Sequence, residues 1–156
     1  MNTSALWVRA SGHCQSAPPA PLSVEVENAV KPRVLIVDDS WSMRQTLRLL
    51  LSPDFECALA EDGARALDEA RRQPPDIIVS DVNMEGMDGY ELCRRVRAEP
   101  PLQSVPFIFI SGYAPRPGLP ESTEAYLIKP VQPAVLISRL NELLQPRARA
   151  VAQGNN

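Results

Sequence analysis

Three short apolar runs constrain this chain most strongly: RVLIV at 33 to 37, IIV at 77 to 79 and VPFIFI at 105 to 110. They do not alternate with polar residues, as strands wetted on one face would. Unbroken runs of this kind belong to parallel strands covered on both faces. Each run stops at a polar residue: Asp38, Ser80-Asp81 and Ser111. Stretches with helical spacing separate them, so the pattern is strand, helix, strand.

The remaining elements follow in order. After Asp38, Asp39 and Ser40, the residues Met43, Leu47, Leu50 and Leu51 fall on one helical face, with Arg44 and Arg48 opposite. Pro53 ends that helix. A weaker strand is expected over 55 to 60, and a second helix over 63 to 72 with Ala66, Leu67 and Ala70 inward. The stretch PDIIVSDVNMEGMDGYEL, 75 to 92, reads as a buried strand ending at Asp81, a loop punctuated by Gly86 and Gly89, and the start of a third helix running from about 90 to 98. Residues 113 to 123, YAPRPGLPEST, hold three prolines and a glycine. An interior proline costs a helix about 3 kcal/mol, so a loop is expected there. AYLI at 125 to 128 is a last strand, and 133 to 144 a last helix that Pro146 should stop.

Strands one, three and four are the most apolar and belong in the middle; two and five belong at the edges. Right-handed crossovers then give a doubly wound, flavodoxin-like α/β fold, five parallel strands in the order 2-1-3-4-5. Residues 32 to 145 form the domain, flanked by tails at 1 to 31 and 146 to 156. A short amphipathic piece is weakly signalled near 24 to 30.

Composition removes several classes of function. The net charge is −3, with no basic stripe, which gives no reason to expect nucleic acid as a partner. No apolar run is long enough to cross a membrane, and the N-terminus lacks a secretion-signal layout, so a cytoplasmic location is expected. Three cysteines without CxxC spacing argue against a disulfide framework or a zinc site; Cys57 and Cys93 are expected to be buried hydrophobes. The only histidine, His13, lies in the N-terminal tail, away from any expected site.

Ligands of open α/β sheets bind beyond the carboxyl ends of the strands, at the point where strand order reverses. Here that point lies between strands one and three, which brings Asp38, Asp39 and Asp81 together. Singly, each has an ordinary alternative as a helix cap or a turn residue. Three packed carboxylates repel, and a hard divalent cation such as Mg²⁺ relieves the repulsion. Strand four ends at Ser111, a hydroxyl donor. Strand five ends at Lys129, the only lysine from residue 32 onward. Metal, hydroxyl and ammonium together suit a phosphoryl group on a carboxylate, with Asp81 as nucleophile.

At these residues the chain resembles a known family. DDSWSMR at 38 to 44, SDVNMEGMDG at 80 to 89, ISG at 110 to 112 and YLIKP at 126 to 130 are similar to the motifs of the CheY-like receiver domain of two-component response regulators. The resemblance spans about 32 to 145; FISGY followed by the proline-rich loop is similar to a subset of stand-alone, single-domain receivers and to receivers attached to hybrid histidine kinases, and the stand-alone type is expected. It implies that Asp81 is the phosphoacceptor and that Asp38, Asp39 and Asp81 hold Mg²⁺ with the Asn83 backbone carbonyl. Ser111 and Lys129 would contact the phosphoryl oxygens, Tyr126 would be the aromatic switch, and the Lys129–Pro130 bond would be cis. Two features depart from the family. Glu85 stands where proline is common, and the usual fourth helix is reduced or replaced by the proline-rich loop.

The expected function is a phosphorylation-activated switch, a phosphoprotein of a two-component system or phosphorelay. Its phosphoryl group would come from the phosphohistidine of a histidine kinase or histidine phosphotransfer protein. It is not a conventional enzyme, although it would catalyse its own phosphoryl transfer and slow dephosphorylation. The partner would dock on helix one around Trp41, Arg44 and Gln45. No helix-turn-helix or enzyme-sized extension follows, so output is expected through an unidentified protein partner or by phosphate shuttling, with 113 to 124 as the output element. The alternative is a binding module of the same fold that works without phosphorylation. A small-molecule phosphatase is a third reading, disfavoured because no insertion is large enough to cap a substrate.

Overall fold

The computed structural model describes residues 30 to 121 and 123 to 153. The expectations for the N-terminal tail, including His13 and all but the last residue of the segment near 24 to 30, fall outside those residues. The elements run β1 Arg33–Val37, α1 Trp41–Leu51, β2 Glu56–Ala60, α2 Gly63–Arg72, β3 Ile77–Asp81, α3 Gly89–Ala98, β4 Phe107–Ser111, β5 Ala125–Ile128 and α4 Pro133–Gln153. The strands form one five-stranded sheet, all neighbours parallel, in the order β2-β1-β3-β4-β5. This is the expected topology. No helix lies between β4 and β5 among the described residues, so a loop replaces the fourth helix of the family pattern.

Successive side chains of a strand point to opposite faces, so each unbroken run feeds two cores. Leu35, Val37, Ile78, Phe107 and Phe109 meet Ala66, Leu67, Cys93 and Val96 from α2 and α3. Val34, Ile36, Ile77, Val79, Ile108 and Ile110 meet Leu47 and Leu51 of α1 and Leu136, Leu140 and Leu144 of α4. The outer strands are wetter, with Cys57 of β2 and Tyr126 of β5 only half-buried. Cys57 therefore departs from the expected burial: an edge strand lacks a neighbour to cover it. Cys93 is fully buried as expected.

Local chemistry starts each helix. Ser40, Asp62 and Asp88 are N-caps, their side-chain oxygens accepting from the amides of Met43 (3.4 Å), Arg65 (2.7 Å) and Glu91 (2.8 Å). Pro133 opens α4, where a missing N–H costs nothing. The expected stop of this helix at Pro146 is not observed, since α4 continues to Gln153. Proline removes one backbone bond and crowds the preceding turn, but the following RARAVAQ is rich in strong helix formers that sustain the next turns.

Register sets the level of the strand ends. Val37 pairs with Ser80, Asp81 with Ile110, and Ser111 with Ile128. Asp38, Asp81, Ser111 and Lys129 therefore surface along one rim of the sheet.

Candidate functional site

At that rim the carboxylates of Asp38, Asp39 and Asp81 each bring an oxygen within 4.8 Å of the others. Asp38 and Asp81 are buried, at 2% and 8% exposure, and Asp39 is exposed. Asp38 Oδ1 accepts from the Ser40 amide at 2.8 Å. Asp81 Oδ1 accepts from the Val82 amide at 2.9 Å. Lys129 reaches in from the end of β5, its Nζ 3.3 Å from Asp38 Oδ2 and 3.6 Å from Asp81 Oδ1. Its own amide donates to the Ser111 carbonyl at 2.7 Å, and the Lys129–Pro130 bond is cis.

Burial raises the Asp81 carboxyl above its ordinary value of 3.8; the Lys129 ammonium opposes this, and Asp38 and Asp39 add to the rise. One ammonium thus does not balance three carboxylates. The donor set consists of hard oxygens beside a half-open rim, which fits a divalent cation of the Mg²⁺ kind. The fit rests on the carboxylate spacing and on this residual negative charge.

Ser111 is fully buried at the end of β4, its hydroxyl accepting from the Tyr113 amide at 3.3 Å. Tyr126 is half-buried on β5. Its ring lies 6.1 Å from that of Phe109, and its hydroxyl donates to the Tyr113 carbonyl at 2.9 Å. Between Ser111 and Tyr126 lies a cavity of about 210 Å³, also lined by Val82, Asn83, Tyr113 and Arg116. The structure thus gathers Asp38, Asp39, Asp81 and Lys129, and sets Ser111, Asn83 and Tyr126 around the adjoining cavity. Glu85 is exposed and lines, with Asp39, Glu61 and Asp62, an acidic cleft of about 540 Å³ beside the site.

Three residues at this rim escaped the sequence reading. Arg44 was expected on the solvent side of α1. It is buried at 8% exposure, and its Nη1 donates to the Asp38 carbonyl at 2.6 Å and the Asp39 carbonyl at 3.1 Å. The signal was present, because Arg44 stands at i−3 from Leu47 and shares its buried stripe. Gly89 reads as turn punctuation but is the first residue of α3; a Cβ there would lie 2.3 Å from the Asp81 carbonyl oxygen. Its N–H donates to the Val82 carbonyl at 2.9 Å. Gly86 is the true turn glycine, with φ of 74°. Arg116 ties the β4–β5 loop to α3. Its guanidinium pairs with Asp88 at 2.6 Å and lies 5.2 Å from the Tyr90 ring centroid, while its amide donates to the Tyr90 hydroxyl at 3.3 Å.

Comparison with known proteins finds a family match over most of the chain. The profile described as "Response regulator receiver domain" matches residues 34–141. Response regulator PleD of Caulobacter vibrioides is 34% identical over 116 residues, covering 71% of this chain and 26% of PleD. Sensor histidine kinase TmoS of Ectopseudomonas mendocina is 35% identical over 121 residues, 73% of this chain and 12% of TmoS. The chain therefore spans about a quarter or less of these curated relatives. Among solved structures, chemotaxis protein CheY4 of Vibrio cholerae superposes with a TM-score of 0.67 at 32% identity, over 73% of this chain and 99% of that one. A putative response regulator from Chloroflexus aurantiacus gives 0.69 at 31% identity, over 74% and 98%.

Proposed function

This chain belongs to the response regulator receiver domain family, and from that premise we propose that it is a phosphorylation-activated signalling switch with Asp81 as its phosphoacceptor. The observation that carries the reading is the convergence of Asp38, Asp39 and Asp81 with the Lys129 ammonium at one rim of the sheet. Asp38, Asp39, Asp81 and the Asn83 backbone carbonyl would hold Mg²⁺. When bound, the ion supplies charge neutralisation for the oxygens of an incoming phosphoryl group.

The chain's own residues perform the rest. The Asp81 carboxylate attacks phosphorus as the bond from phosphorus to a partner's imidazole nitrogen breaks. The imidazole leaves with the electron pair, and an acyl phosphate remains on Asp81. Lys129 already bridges two carboxylates and moves its charge onto the new phosphoryl oxygens. The Ser111 hydroxyl swings toward another of those oxygens to donate to it, and that movement of Oγ breaks the bond it accepts from the Tyr113 amide. Because Tyr126 is bonded to the carbonyl of the same Tyr113, this exchange links the acceptor to the 113 to 124 loop, the output element. Slow hydrolysis of the acyl phosphate resets the switch.

The phosphodonor is a histidine kinase or histidine phosphotransfer protein, met in the cytoplasm. It docks on α1, where Trp41 and Leu49 are 67% and 76% exposed; Arg44, facing inward, takes no part. Output passes to a protein partner or onward as phosphate. The direct test is to incubate the full chain with a small phosphodonor and Mg²⁺. A single phosphoryl mass gain on the wild type, absent from Asp81→Asn and without Mg²⁺, is expected. No gain on the wild type leaves a phosphorylation-independent binding module instead. If amide exchange over 113 to 124 is the same with and without a bound phosphoryl mimic, the loop is not the output element.

A further inference from the structure

We infer that Arg44 is a positioning residue for the divalent-cation site, acting through the backbone of the two aspartates that precede α1. The inference rests on the reading that Mg²⁺ occupies the Asp38, Asp39 and Asp81 cluster.

Burying a guanidinium is costly, and arginine does not escape the cost by losing its proton. Something must hold it. Among the described residues its one carboxylate partner is Glu61, with Nη2 to Oε2 at 3.9 Å, and Glu61 is half-exposed and bonded more closely to Arg65 at 2.9 Å. So loose a pair contributes little. The short bonds of Arg44 go elsewhere, both from Nη1, to the carbonyls of Asp38 and Asp39. These are consecutive residues, and each sends a carboxylate into the acidic cluster.

Asp38 is thus held at both ends. Its carboxylate accepts from the Ser40 amide and its carbonyl from Arg44. Bonding two successive carbonyls to one nitrogen sets the turn of the chain between them, and that turn decides whether both carboxylates face Asp81. Without it the loop is free to relax, and the repulsion among three acids favours their separating. Arg44 touches none of the carboxylates of the cluster, so its action on the ion is indirect. Outer residues that orient metal ligands in this way are worth about 10- to 100-fold in affinity.

A simple charge argument predicts the reverse, since a cation near the site should repel Mg²⁺ and its removal should tighten binding. The two accounts differ in sign. The test is calorimetric titration of the full chain with MgCl₂, for wild type, Arg44→Met, Arg44→Lys and Leu47→Ala. Methionine keeps an apolar stem in the buried slot. Leu47 lies on the same helix in the core and controls for lost stability. Expected is a dissociation constant weakened by about 10-fold or more in Arg44→Met, partly restored in Arg44→Lys, and unchanged in Leu47→Ala. Arg44→Met binding as tightly as wild type, or more tightly, overturns the inference. So does an equal weakening in Leu47→Ala, which would make the effect one of stability alone. Should Arg44→Met not fold, Arg44→Lys decides: weaker binding by a folded protein supports the clamp, wild-type binding overturns it. A wild type that binds no Mg²⁺ removes the metal reading itself, and the inference with it.

Discussion

Lys129 Nζ lies 3.3 Å from Asp38 Oδ2 although 91 residues of chain separate them. The pair closes the site: β1 supplies the acid, β5 the base, and β3 and β4 lie between. Because Lys129 also reaches Asp81, it is the one counter-charge among the described residues within ion-pairing distance of either acid.

Replacing Lys129 with Met leaves two buried carboxylates facing each other. Breaking a buried pair costs about 3 to 5 kcal/mol, and partial exposure of the lysine reduces that here to about 1 to 2 kcal/mol. Urea unfolding of the metal-free variant should show this loss. Saturating Mg²⁺ should recover much of it, and a loss that Mg²⁺ leaves untouched would argue against a shared counter-charge role.

Asp81 has the opposite effect on the metal-free fold. Its folded pKa is raised above 3.8, chiefly by burial. The native state therefore binds more protons than the unfolded chain between these two values, and stability falls as pH rises through that window. Asp81→Asn removes this cost. The variant should be more stable than wild type at pH 7 without metal, with the advantage shrinking as the pH falls through the raised value toward 3.8. Paired denaturation curves at pH 7 and pH 4 check the sign.

Gly89 and Gly86 should respond unequally to alanine. A methyl group at Gly89 meets the Asp81 carbonyl and Val82 backbone, which cannot yield cheaply. A loss of about 2 to 4 kcal/mol and weakened phosphorylation are expected, since the peptide of Asp81, the proposed acceptor, is displaced. At Gly86 nothing lies within 4 Å, and only the positive φ is penalised, at about 1 to 2 kcal/mol. Thermal melts and the phosphodonor assay on both variants separate the two causes.

Cys93 is fully buried and its thiol is pushed up to about 11 by that burial. At pH 8 it should resist alkylation in the native protein and react only after unfolding. Cys57, half-buried, should be modified before Cys93. Peptide mapping after timed exposure to iodoacetamide reports both, and rapid native labelling of Cys93 would show that α3 opens readily.

Arg116→Ala should loosen the β4–β5 loop while sparing the sheet. The lost contacts are a partly exposed ion pair with Asp88 and a cation–π contact with Tyr90, together about 0.5 to 1.5 kcal/mol. Amide exchange should quicken over residues 113 to 121 and stay unchanged over β4. An unchanged loop would place its anchoring in the Tyr126 to Tyr113 bond instead.

Some of this was written in the chain itself. Short unbroken apolar runs that alternate with helical stretches fit a parallel sheet covered twice, and weaker strands fit its edges; order and switch point follow. Since strand ends define the rim, Asp38, Asp39, Asp81, Ser111 and Lys129 could be read from where the runs stop. The proline-rich stretch excluded a fourth helix by backbone chemistry alone. Tertiary packing decided the rest. An arginine arm is long enough to go to water or to fold back under its own helix, and only the backbone of the β1–α1 loop made the inward choice favourable for Arg44. A glycine needed for space looks the same in sequence as one needed for its φ, and only the approach of α3 to the Asp81 peptide tells Gly89 from Gly86. Local chemistry acts within a few residues and is legible; these contacts act between segments that meet only after folding.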